Sequence, residues 1–243
     1  MRKGVILVLV LLTLALSSCF SEEADNHPLL VESPTEAPIV LGEDDIPMPP
    51  VYVYEGASED FLLPLEDFSW EREYNAEFVM IHFTSAVVSN RADPYDEDAI
   101  RALFVDNEVS VHYIIDREGV VTCLIPENRV AWHAGRGEFA ADERYTNAMN
   151  HYAIGIELLG IGSEADMADY LYSWEYRAID KSLIGFTDAQ YEALADLVRD
   201  ICERNDIPYD REHIIGHEEY SPTKTDPGEL FEWERVFESD SFE

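Results

Sequence analysis

Short apolar runs alternate with amphipathic stretches along most of the chain. Glu77 to His82 (EFVMIH) has strand length and composition and ends in a histidine, and Asp93 to Val105 then repeats Ile100, Leu103 and Phe104 at helical spacing. SVHYIIDREGVVTCLI, residues 110–125, reads as two β segments joined at Asp116-Arg117-Glu118-Gly119, with the glycine at a positive-φ turn position. Ala153 to Leu159 (AIGIELL) predicts a further buried strand, with Glu157 inside it. Thr187-Asp188-Ala189-Gln190 has the form of a capping box. Tyr191, Leu194, Leu197, Val198, Ile201 and Cys202 mark one face of the helix that follows, which stops near Asn205 to Pro208. Ile214 and Ile215 give a last short strand, and Phe231 to Phe237 a final short helix. The predicted fold class is α/β, a single mixed central sheet flanked by helices.

The two ends of this pattern differ in kind. Arg2 and Lys3 precede the uncharged run GVILVLVLLTLALSS, which falls short of the roughly 20 residues that span a bilayer and ends in small residues at Cys19. Residues 1–18 are therefore expected to be a signal peptide. Leu16-Ser17-Ser18-Cys19 resembles the bacterial lipobox, which implies a diacylated Cys19, membrane anchoring through it and an extracytoplasmic location. From Phe20 to Glu71 there is no Lys or Arg, and seven of the twelve prolines lie between Pro28 and Pro64. Residues 19–65 thus read as an acidic, extended tether, and residues 66–243 as the folded domain. Tyr52, Tyr54 and the segment Phe61 to Leu65 depart from the tether pattern and are expected to dock on the domain as an arm.

Composition narrows the function. With 47% apolar residues in 243, a sizeable core forms and wholesale disorder is excluded. Sixteen basic against 51 acidic residues leave a formal charge of −35, which repels phosphate backbones, so nucleic acid is not the partner. Cys19, Cys123 and Cys202 share no short spacing, so any metal must be held by histidines and carboxylates. Cys123 and Cys202 fit the apolar pattern as small core residues, with a disulfide between them the alternative.

Two places carry candidate chemistry. A carboxylate within IGIELL is costly to bury, so Glu157 either faces outward or works. HIIGHEEYSPTKTDPG, residues 213–228, crowds histidine, lysine and aspartate into a loop stiffened by Pro222 and Pro227.

Taken together, MIHFTSA, SVHYIIDREG, AWHAG, NHYAIGIELLG and GHEEYSPTKTDPG, in this order over roughly Phe78 to Phe237, resemble the zinc-dependent N-acetylmuramoyl-L-alanine amidases of type 2, the family shared with peptidoglycan recognition proteins. The resemblance implies Zn2+ bound by His82, His217 and Asp226, with Glu157 and Lys224 as catalytic residues. Two imidazoles, a carboxylate and water make an open site suited to catalysis. Trp132, His133 and Asn150 are expected to contact substrate, whereas His112 is read as structural and His27, His151 and His213 as incidental. Val111 stands where some relatives carry a tyrosine, so no tyrosine is assigned to catalysis. The implied reaction is hydrolysis of the amide between N-acetylmuramic acid and L-alanine in peptidoglycan or muropeptides, as part of wall remodelling or recycling. The rivals are a non-catalytic peptidoglycan-binding module and a zinc hydrolase of another wall amide. The stretch from Gly162 to Lys181, with Tyr170, Tyr172, Trp174 and Tyr176, reads as an insertion whose aromatics either line a cleft or pack over the sheet edge.

Overall fold

A computed structural model of the chain describes residues 52–59 and 63–237. The signal peptide, Cys19, His27 and most of the tether lie outside the described residues, as do Phe61 and Leu62. In order, the elements are α1 (Leu65–Phe68), β1 (Ser69–Glu71), β2 (Phe78–Thr84), α2 (Glu97–Asp106), β3 (Tyr113–Ile115), β4 (Val121–Cys123), β5 (Arg129–Ala131), β6 (Ala153–Leu159), α3 (Ser173–Tyr176), α4 (Asp188–Asn205), β7 (Ile214–Gly216), α5 (His217–Tyr220) and α6 (Trp233–Phe237). Five strands form one mixed sheet in the order β4-β3-β6-β2-β7. The four strands β3, β6, β2 and β7 are parallel, and β4 closes one edge antiparallel to β3. The mixed sheet flanked by helices is the architecture expected from the alternation of patterns.

One sheet face is sealed by α4. Leu194, Leu197, Val198 and Ile201 are fully buried against Val79, Ile81, Ile154, Ile156 and Ile214, the odd-and-even alternation of β2 and β6 sending these residues to one side. Each such aliphatic side chain contributes about 1.5–3 kcal/mol by leaving water. The capping box forms: the Thr187 side chain accepts from the Gln190 N–H and Gln190 Oε1 accepts from the Thr187 N–H. Gln190, itself fully buried, also donates through Nε2 to the carbonyls of Ile115 and Leu159. The helix start is thereby bolted to the ends of β3 and β6. Cys123 and Cys202 are free thiols in this core, and burial pushes both up to about 12, so neither is poised for redox chemistry.

The opposite face carries His82 and Glu157 and is covered by loops. Phe78, Met80, Ala134, Tyr145, Met149 and Tyr220 form one cluster there, and Ile100, Phe104, Ile114, Leu124 and Leu159 form another beneath α2. Helix α2 starts four residues later than the periodicity suggests, because the Asp96 side chain accepts from the Ala99 N–H and so fixes the cap.

Residues 52–59 lie along the sheet edge. The Ser58 N–H donates to the Val121 carbonyl, the Cys123 N–H donates to the Ser58 carbonyl, and the Tyr54 N–H donates to the Tyr113 hydroxyl. Leu63 is buried, and its N–H donates to the Leu124 carbonyl. This segment covers the exposed edge of β4, which otherwise presents unpaired backbone groups. Beneath it, buried Glu127 accepts from Tyr113, Arg204 and Asn205, while its own N–H donates to the Tyr52 carbonyl.

Candidate active site

His82 is the fifth residue of β2, and parallel register sets it opposite Glu157 of β6. His217 follows β7 directly as the first residue of α5. Asp226 arrives from the loop beyond α5, tied back by a hydrogen bond from the Glu218 N–H to its carbonyl. The loop then turns through a cis Asp226–Pro227 bond and Gly228, whose φ of +80° suits glycine alone. A Cβ at Gly228 would also lie 2.5 Å from Asp166 Oδ2, which accepts from the N–H groups of Ser163 and Glu229. The 162–181 segment is thus anchored to the loop that carries Asp226.

Three donor atoms converge. His82 Nδ1 and His217 Nδ1 are 3.1 Å apart and lie 2.8 and 2.9 Å from the same oxygen, Oδ2 of Asp226. His82 and His217 are buried and Asp226 nearly so. Burial, reinforced by His217, lowers the His82 imidazole to about 4 against the pull of Asp226, so it is neutral near pH 7. For Asp226, burial alone would raise the pKa, but its contacts with His217 and His82 outweigh burial and hold it below the usual carboxylate range.

The donor set fits a metal ion. His217 Nε2 faces the Ala134 carbonyl at 2.9 Å, so in the neutral ring it carries the proton and leaves the Nδ1 lone pair facing a carboxylate oxygen. Two acceptors at 2.9 Å require a proton or a cation between them. Neighbouring ligand atoms of tetrahedral zinc, at bond lengths of about 2.0–2.1 Å, stand about 3.3 Å apart, close to the separations seen here.

Glu157 lies beside this cluster. Its Oε2 is shut from solvent and accepts no hydrogen bond among the described residues. Burial, aided by Asp226 and opposed by Lys224, raises its carboxyl well above the ordinary range. Lys224 is exposed, two residues before Asp226, and its charge acts on both Glu157 and His82. All five residues expected to perform the chemistry are therefore brought to one place.

The residues expected to face substrate have more structural surroundings. The Trp132 ring packs on Phe68 and Trp70, with centroids 6.4 and 5.3 Å away. Asn150 Oδ1 accepts from the backbone N–H groups of His133 and Ala134 at 3.0 and 2.8 Å. His133 Nδ1 stands 3.0 Å from His82 Nε2. His112 is buried behind them, with Nδ1 accepting from the Gly155 N–H and Nε2 facing the Arg129 carbonyl, as suits a structural residue. Of the insertion's aromatics, Tyr176 packs inward and donates to the Gly162 carbonyl, while Tyr170, Tyr172 and Trp174 are exposed rather than laid over the sheet edge.

Sequence reasoning passed over Glu218. Its Oε2 is buried without a hydrogen-bond partner, and burial, together with Glu219 and Asp226, pushes the carboxyl up to about 7. The only signal was the unusual acidity of Glu-Glu after His217.

Two histidines and a carboxylate whose ligand atoms converge beside a buried glutamate, on a mixed sheet, could hold a metal ion, as in a hydrolytic centre. The family model of N-acetylmuramoyl-L-alanine amidase matches residues 72–229, and the chain belongs to that family. It is 34% identical over 132 residues to the 1,6-anhydro-N-acetylmuramyl-L-alanine amidase AmpD of Haemophilus influenzae, covering 54% of this chain and 58% of that protein. It is 28% identical over 188 residues to the N-acetylmuramoyl-L-alanine amidase AmiD of Escherichia coli, covering 74% of this chain and 61% of the relative. The chain thus spans about three-fifths of the length of these two relatives. The crystal structure of a selenomethionine AmpD derivative superposes with a TM-score of 0.55 at 24% identity, covering 77% of this chain and 96% of that one, which shows the shared fold.

Proposed function

We propose that this protein is a zinc-dependent amidase that hydrolyses the bond between the lactyl group of N-acetylmuramic acid and L-alanine, in peptidoglycan or in soluble muropeptides. The observation that carries the reading is the convergence of His82 Nδ1, His217 Nδ1 and Asp226 Oδ2 beside the unpaired carboxyl oxygen of Glu157. The printed names of the AmpD and AmiD relatives supply the substrate class.

His82, His217 and Asp226 would hold the zinc. When bound, zinc lowers the pKa of a water ligand to about 7 and polarises a carbonyl oxygen. Glu157 then serves as general base towards the attacking water and, once protonated, as acid towards the leaving amine of L-alanine. Its burial, which raises the carboxyl, suits the second task, since it favours holding the proton. Lys224 is the residue assigned to the negative charge that develops on the amide oxygen, supported by its electrostatic reach to Glu157 and His82. Trp132 stands towards the approach to that bond, and Asn150 acts through the backbone it fixes at His133 and Ala134.

The test is mass spectrometry of purified peptidoglycan and of a defined muropeptide after incubation with the enzyme. Free stem peptide and intact glycan are expected, lost on chelation and restored by zinc. Cleavage at another amide would reassign the substrate bond, and wall binding without cleavage under zinc would favour a recognition module.

Anchoring through an acylated Cys19, in an extracytoplasmic lipoprotein, is part of the same proposal. Its support is the residue pattern around Leu16-Ser17-Ser18-Cys19, and no helix among the described residues is long and apolar enough to cross a membrane. Metabolic labelling with a fatty acid should mark the wild type and not Cys19→Ser.

A further inference from the structure

We propose that His133 is a positioning residue of the metal centre, its Nδ1 accepting a hydrogen bond from His82 Nε2 and so turning His82 Nδ1 towards the metal. The inference rests on the reading of the site as a zinc centre.

The argument begins with proton counting. A neutral imidazole carries one N–H, so if His82 ligates through Nδ1, its proton must sit on Nε2. The atom facing that proton is His133 Nδ1, at 3.0 Å, with the two rings nearly perpendicular at 85°. His133 must then carry its own proton on Nε2. That atom is buried, and the Ala153 carbonyl is the backbone acceptor that acts on the ring, too poorly aligned to make a full hydrogen bond. The neighbouring His112 ring cannot provide one, because its Nδ1 takes the Gly155 N–H and its Nε2 faces the Arg129 carbonyl. His133 therefore turns its N–H inward towards the backbone at one nitrogen while presenting an acceptor to His82 at the other. A side chain placed to reach substrate through Nε2 would not have that atom sealed off.

The surroundings fix this arrangement. Gly155 lies under the His133 ring, and a Cβ there would fall 2.7 Å from His133 Cγ and Nδ1. Asn150 Oδ1 holds the N–H groups of both His133 and Ala134. The Ala134 carbonyl in turn faces His217 Nε2 at 2.9 Å. One dipeptide therefore orients both imidazole ligands, His82 through a side chain and His217 through a carbonyl, and Asn150 clamps the dipeptide. Partners of this kind fix the tautomer and ring orientation of a metal-ligating histidine.

The test measures zinc affinity of the full chain by competition with a chromophoric chelator. His133→Leu, which removes the acceptor, is expected to bind zinc about 10–100-fold more weakly. His133→Asn, whose amide oxygen stands near the place of Nδ1, should stay within about threefold of wild type, by the same accounting. Equal losses in both variants, or unchanged zinc affinity in both with only KM raised, overturn the inference and, in the second case, return His133 to the substrate. Should the leucine variant not fold, long-range 15N–1H correlation on the zinc-loaded wild type still decides. Nε2–H tautomers of both His82 and His133 are expected, and an Nδ1–H tautomer of His133 overturns the role. A wild type that binds no zinc sinks the zinc reading itself, a failure distinct from these.

Discussion

Glu157 stands directly opposite His82 across the parallel pair β2–β6, so sheet register alone brings the candidate general base beside a candidate metal ligand. Glu157→Gln keeps the shape and removes the ability to exchange a proton. Turnover should fall about 10²–10⁴-fold, the span of general acid–base catalysis. Zinc per chain, measured by atomic absorption, should stay near the wild-type value; retained turnover would remove Glu157 from the mechanism.

The same substitution has an opposite effect on folding. A carboxyl whose folded-state pKa is raised contributes stability that is fully present below its unfolded pKa of about 4.5 and is lost as pH rises towards the folded value. The amide mimics the protonated form and escapes that loss. In metal-free protein, Glu157→Gln should therefore melt higher than wild type at pH 8 and nearly with it at pH 4.5. Each unit of pH within the window is worth about 1.4 kcal/mol, or about 3–5 °C in a domain of this size. A gap that narrows with rising pH would contradict the assignment.

Gly155 is required by what lies on it. Gly155→Ala would drive a methyl group into the base of the His133 ring, and neither the β6 backbone nor a ring clamped through Asn150 can yield cheaply. A cost of about 1–3 kcal/mol in chemical denaturation is expected, the usual toll of overpacking. Stability equal to wild type would show that the ring moves aside freely.

Glu127 offers a contrast away from the chemistry. It is buried and accepts from Tyr113, Arg204 and Asn205, so Glu127→Ala leaves the buried Tyr113 hydroxyl without its acceptor, while Arg204 keeps its pair with Asp200. Leaving one buried donor unsatisfied costs about 1–3 kcal/mol. Thermal melting should report it.

The parts legible in the sequence are those whose signals are local. The β6 run announced both a buried strand and its misfit glutamate, and the Thr187 capping box placed the start of α4 correctly. The hairpin at Asp116 to Gly119 was equally plain, with Gly119 at φ +83°. Pairing of β1 with β5 was not foreseen, since three-residue strands 60 positions apart leave no periodicity to read. Nor does AWHAG disclose where His133 points, because that depends on a glycine in another strand. Glu218 looked like surplus acidity, and only packing shows one of its oxygens shut away from water.

The three converging donors also set a timetable. His82 and Asp226 are separated by 144 positions, and the sheet that aligns them includes β7, the strand just before His217. During synthesis the three donors cannot converge until residue 226 has left the ribosome. A chain interrupted before Asp226 would lack one of the three converging donors, so on the zinc reading this loop is the arming step for the strands made before it.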